Sequence, residues 1–180
     1  MPTPTTMPTA APTVASLERT DLQDSLTRHR AFLCQTVIGL TDAQVRQTPT
    51  ASQLCLGGII KHVALMEEGW VRFIKDGPAA IGPADEAAYE AHAAGFRMLA
   101  GETLDGLLSR YEEVAGHTDE VLFSLPSLDD SHPLPEAPWF EPGARRTARR
   151  VFVHIVAETA QHAGHADIIR ETLDGAKTMG

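Results

Sequence analysis

The sequence predicts an all-α protein, a four-helix bundle with one long crossover loop. Three observations carry that prediction. Apolar residues recur with a period near 3.6 in four long segments, and no segment alternates apolar and polar residues between turns as a strand does. Between the third and fourth segments lies a stretch, 126–143, that holds Pro126, Pro133, Pro135, Pro138 and Pro142. The 180 residues suffice for one domain with a substantial core, and 43% apolar with 22% charged residues is ordinary for a globular chain.

Each element follows from local signals. Pro2, Pro4, Pro8 and Pro12 break any helix at the start, so residues 1–15 are expected to be a disordered tail and residues 16–180 the bundle domain. Thr20 and Gln23 have capping-box spacing, and Leu22, Leu26, Leu33 and Val37 carry a first helix over about 17–39. Thr41 and Gln44 repeat the spacing for a short helix that stops before Pro49. A second long helix runs over about 56–76, with Ile59, His62, Val63, Met66, Trp70 and Phe73 on one broad face, and ends at Gly77-Pro78. The Ala-rich segment from Asp85 to Leu99 has room for one or two helical turns.

The third long helix, about 102–125, is written by Leu104, Leu107, Leu108, Tyr111, Val114, Thr118, Val121 and Leu122, and closes at Pro126. Residues 126–143 read as irregular, and a loop of that length is uncommon without a task, which makes Trp139-Phe140 a candidate lid or pocket wall. The last helix runs over about 146–173 and ends near Asp174-Gly175.

Charge removes one class of partner. With 15 Lys+Arg against 24 Asp+Glu the net charge is -9, which offers nucleic acid no general attraction. No apolar run approaches the ~20 residues of a membrane span. The start has neither a basic nor an apolar signal region, and two cysteines, Cys34 and Cys55, make no disulfide framework. A cytoplasmic protein that binds small molecules is expected, with no nucleic-acid or membrane partner.

The last helix carries the chemistry. His154, Glu158, His162 and His165 fall within about 80° of arc at 100° per residue. Val151 and Ile169 share the stripe, so it points inward, where ionisable groups are costly unless paired or bound. Glu158 and His162, at i and i+4, converge over one turn. A third ligand has to come from another helix, and His62 is the best candidate among its apolar neighbours. A His₂Glu set leaves a fourth position open, which is the arrangement of catalytic zinc sites. The bland alternative is a set of ordinary buried histidines. His154 is an alternative ligand one turn before Glu158, and Cys55 is either a fourth ligand or a small buried residue. Gly57-Gly58 either admits a ligand close to the backbone or simply starts a helix. Arg145, Arg146, Arg149 and Arg150 either pair with surface carboxylates or form a port for a carboxylated substrate or a polyol head.

The segment Glu158-Thr-Ala-Gln-His162-Ala-Gly-His165-Ala-Asp167, with Leu56-Gly-Gly-Ile-Ile-Lys-His62 before it, resembles the DinB/YfiT-like metal-dependent superfamily. It is most similar to the branch of mycothiol-dependent maleylpyruvate isomerases and mycothiol S-transferases. The resemblance, over roughly residues 17–174, implies a four-helix bundle with one divalent metal, commonly zinc, on His62, Glu158 and His162. It implies a cytoplasmic, detoxifying transferase that activates a low-molecular-weight thiol, mycothiol, for attack on an electrophile. A zinc-activated thiolate is then the nucleophile, with His165 to shuttle a proton or orient water. Trp139 and Arg149 are the expected contacts of the thiol cofactor. Two alternatives remain open from the residues: a hydrolase using metal-activated hydroxide, and a non-catalytic metal- or ligand-binding bundle, as a homodimer.

Overall fold

The computed structural model describes residues 14–82, 85–137 and 140–178, with side chains from residue 16 onward. The expected disordered tail therefore lies almost wholly outside the described residues. Within them the elements run α1 (Val14–Gln35), α2 (Asp42–Val45), α3 (Leu56–Asp76), a 3-10 turn (Gly77–Ala80), α4 (Glu86–Gly95), α5 (Leu104–Ser124), β1 (Ser131–Pro133), β2 (Arg145–Thr147) and α6 (Ala148–Asp174). The four long helices stand within a few residues of their predicted spans.

Side-chain caps set several of these boundaries. Thr41 begins α2 with a full capping box: its hydroxyl accepts from the Gln44 N–H, and the Gln44 side chain accepts from the Thr41 N–H at 3.0 Å. Thr20 and Gln23 do not cap α1, which starts earlier; Thr20 donates back to the Ser16 carbonyl at 3.0 Å, and Gln23 reaches Asp119 on α5. Cys55 is the N-cap of α3, its sulfur accepting from the Gly58 N–H at 3.4 Å. Gly175 closes α6 in the left-handed region at φ 79°, as its place after the last periodic residue predicts.

Two expectations need correction. The segment after Asp85 forms the ten-residue α4, capped by the Asp85 carboxylate on the Ala88 N–H, rather than one or two turns. The bundle is not free of sheet: β1 and β2 pair antiparallel, with Ser131 opposite Thr147, His132 opposite Arg146 and Pro133 opposite Arg145. Three residues are too few for a readable alternation, and Pro133 argues against a strand until its place on a two-stranded edge is known.

α6 packs against α1 and α3, and α5 packs against α3 and α1, which closes the bundle as α1–α6–α3–α5. Two apolar clusters fill it. One gathers Leu33, Val45, Ile59, Val63, Ala166 and Ile169; the other gathers Leu26, Phe73, Leu122, Val151, Phe152 and Ile155. Between them along α1 and α3 come Arg30 and the fully buried Glu67, joined at 2.5 Å, with Asp119 of α5 on the same guanidinium at 2.9 Å. A charge buried this deeply is tolerable only because it is paired. This ionic centre has no periodic signature and sequence reading missed it.

Candidate metal centre

α3 and α6 face each other with His62 on one and Glu158 and His162 on the other. One ligand atom from each of the three lies within 4.8 Å of the other two, and among the described residues this is the group able to hold a metal ion. The His62 and His162 rings stand 4.8 Å apart at 70°, and Glu158 Oε2 is 3.7 Å from His162 Nε2. His62 and His162 are buried, whereas Glu158, His154 and His165 are half-buried. The predicted stripe therefore runs along the edge of the inward face of α6, with His162 its deepest member.

Electrostatics favours neutral imidazoles. Burial, reinforced by His162 and His92, pushes the His62 pKa down to about 3. Burial and then His165 lower His162, although Glu158 stands beside it. His154 is lowered by burial and by Arg146. Neutral imidazoles and a carboxylate are the donors a divalent ion needs. Three ligands about 2.0–2.2 Å from one ion stand roughly 3.4 Å apart, so small side-chain shifts close the observed group around it. His162 turns Nε2 toward Glu158, and the other ring nitrogen, Nδ1, is buried without a hydrogen-bond partner. The residues fit a divalent metal.

Of the alternatives, His154 lies outside the group: its Nδ1 is 3.9 Å from Glu158 and its ring packs edge-on against Trp70 at 5.0 Å. Cys55 is occupied as the α3 cap and is no part of the group either. His165 stands one turn beyond His162, ring to ring at 5.5 Å, and its Nδ1 is buried without a partner.

The glycine pair stands in the first turn of α3, as the helix-start reading has it, and it also admits a close approach, though not by a ligand. A Cβ on Gly58 would lie 1.9 Å from the Phe96 carbonyl oxygen, and one on Gly57 would lie 2.6 Å from the Met98 sulfur. At Gly58 it is the protein's own backbone, at the end of α4, that approaches α3, and at Gly57 the Met98 side chain. The approach lays the Phe96 ring flat on His62, 3.7 Å between centroids, with His92 edge-on to His62 at 5.4 Å. Sequence reading missed Phe96 and His92, because α4 carries no pattern that says which helix it covers.

His62 also lines a cavity of about 620 Å³, walled by Leu65, Met66, Trp70, Tyr89, His92 and Phe140 among others. Phe140 thus serves as the pocket wall predicted for its segment, and Trp139 lies outside the described residues. Arg149, expected to hold the thiol cofactor, instead binds Glu18 through Nε and Nη2 and Asp129 through Nη1. Two carboxylates beside one guanidinium explain that engagement.

The family model described as mycothiol-S-transferase matches residues 21–175 of this chain. A crystal structure described as a conserved protein from Enterococcus faecalis superposes with a TM-score of 0.61 at 17% identity. The match covers 92% of this chain and 100% of that one, and at this identity it speaks for the fold. No curated protein matches the chain.

Proposed function

We propose that this chain, which belongs to the mycothiol-S-transferase family, joins mycothiol to an electrophile with a zinc ion held by His62, Glu158 and His162. The convergence of those three residues beside the apolar cavity carries the reading. When bound, the ion supplies the Lewis acidity that favours the thiolate form of the thiol.

The chain's own residues do the rest. Phe96 and His92 hold the His62 ring in place from the α4 side, and Glu158 offsets part of the ion's charge. His165 Nδ1, buried and without a partner, receives the proton that the thiol gives up. Leu65, Met66, Trp70 and Phe140 exclude water and hold the electrophile against the sulfur. A sulfur–carbon bond forms, and the leaving group departs with its electron pair. No described helix is long and apolar enough to cross a membrane, and a cytoplasmic detoxifying role suits the reading.

The test is chelated and zinc-reconstituted protein assayed with a haloalkyl bimane, with and without mycothiol. Turnover is expected only with both ion and thiol. It should survive Cys34→Ser/Cys55→Ser, since no protein thiol attacks, and fall in His165→Ala with metal content retained. Metal-dependent turnover of a hydrolysable bimane ester without thiol rejects the transferase for the hydrolase.

A further inference from the structure

Gly69 stands where the fold asks for no glycine. It lies in the interior of α3 with a helical backbone, so no left-handed turn requires it, and a helix interior disfavours glycine relative to alanine. A Cβ built there meets nothing within 4 Å, so no neighbouring segment requires it either. Gly116 and Gly164 share that lack of contact, but of the three only Gly69 faces the large cavity beside the candidate metal centre.

The cavity lies between two helix faces. α3 contributes His62, Leu65, Met66, Gly69 and Trp70, spaced i, i+3, i+4, i+7 and i+8. α4 contributes the smaller Ala88, Ala91 and Gly95, together with His92. At one end the faces come into contact: a Cβ on Gly95 would lie 3.6 Å from Leu65 Cδ1 and 4.0 Å from His62 Nδ1. Seven residues further along α3, about 10 Å at the helical rise, a Cβ on Gly69 would meet open space. The cleft therefore widens from His62 toward Gly69. Trp70 stands beside that space and cannot easily swing in to fill it. Its indole is held from outside the cavity by Phe73 and His154, edge-on at 5.4 and 5.0 Å, and by the Arg146 guanidinium at 4.5 Å. Among the described residues no Asp, Glu or Lys lines the cavity, and Arg72 is exposed at its rim. In the metal-free protein an ion entering it gives up water without gaining a counter-charge.

From this arrangement we infer that Gly69 sets the size of the ligand: its missing side chain makes room for an uncharged, apolar body about the length of two fused rings, laid along α3 between His62 and Trp70. A cavity of about 620 Å³ with apolar walls holds a molecule of that class. That this body is the electrophile rests on the transferase reading; the size limit at Gly69 does not.

The test is a fluorescence titration of the full-length, chelated protein with 2-naphthamide and with 2-naphthoate and 2-naphthamidine, which match its shape and carry a charge of either sign. The amide is expected to bind about tenfold tighter or more than either ion. Gly69→Leu should weaken the amide about tenfold or more and Gly69→Ala about threefold, while benzamide, one ring smaller, changes by less than about twofold in both. Gly116→Leu, away from the cavity, should leave every affinity unchanged. Urea unfolding should find Gly69→Ala as stable as the wild type or slightly more so, which separates a filled cavity from a damaged fold. No naphthamide binding by the wild type, unaltered binding in Gly69→Leu, an equal loss in Gly116→Leu or for benzamide, or an ion that binds as tightly as the amide overturns the inference. If Gly69→Leu does not fold, the loss in Gly69→Ala, read against benzamide, decides. Neither zinc nor thiol is present in these titrations. A protein that meets the expectations yet transfers no thiol refutes the proposed reaction and leaves the size limit standing; thiol transfer without any effect of residue 69 does the reverse.

Discussion

The Phe96 carbonyl and the α-carbon of Gly58 are in contact so close that any Cβ at position 58 would sit 1.9 Å from the carbonyl oxygen. The absence of one side chain on α3 is what lets the end of α4 settle against it. The same approach stacks Phe96 on His62. A backbone contact thus bears on the orientation of a candidate metal ligand one turn further along the helix.

Gly58→Ala should therefore act on both stability and the site. The carbonyl is backbone and cannot rotate away, so overpacking should cost about 1–3 kcal/mol in urea unfolding. With Phe96 displaced, His62 loses its stacking partner and zinc affinity should fall. Gly164→Ala on α6, where a Cβ meets nothing within 4 Å, is the control and should be near neutral or slightly stabilising. Equal behaviour of the two variants would show that the contact has no bearing on the site.

Ligand identity makes a sharper contrast. His62→Ala should lose most bound zinc by elemental analysis, because two remaining ligands compete poorly with water. His154→Ala should retain it, since His154 meets Glu158 from outside the group. Retention in the first variant and loss in the second would exchange their roles.

The lowered histidine pKa values give the metal-stripped protein a defined acid response. His62 has a folded-state value of about 3 against an ordinary 6.5, with His154 and His162 shifted in the same direction. Above the unfolded value neither state is protonated and the group leaves stability unaffected. As pH falls from 6.5 toward 3, the unfolded chain takes up protons that the folded chain refuses, and stability declines. Urea midpoints measured from pH 7 to pH 4 should drop, and drop less in His62→Asn. A flat profile in the wild type, or an unchanged slope in the variant, contradicts the assignment.

The ionic centre predicts an asymmetry. Glu67→Leu alone strands the buried Arg30 beside a half-buried Asp119, and should cost about 3–5 kcal/mol. Arg30→Met together with Glu67→Leu removes both charges and should recover much of that loss. Denaturant melts of the two single variants and the double variant complete the cycle. A double variant as unstable as the sum of the single ones would mean the pair is not coupled.

Much of the candidate site was legible in the sequence because helices are periodic. Glu158 and His162 converge because they are four residues apart on one helix, which holds whatever that helix packs against. The inward direction of His62 followed from Ile59, Val63 and Met66 around it. The long helices were legible for the same reason, and α2 through its Thr41–Gln44 box. The β1–β2 ladder was not, since three-residue strands leave too short a pattern.

What only the tertiary structure decided is every relationship between segments whose spacing no period governs. Gly57-Gly58 is readable as a place of close approach, but not that Phe96 and Met98 are what approach. The four arginines around the start of α6 read alike in sequence; their partners, two carboxylates for Arg149 and two aromatic faces for Arg146, come from α1, α3 and the loops. Arg30 and Glu67 are distant in sequence and gain their meaning only from burial beside each other. Helical spacing of 3.6 residues determines which side chains share a face. Which faces meet depends on how the loops close and how the whole core packs, and no local pattern carries that information.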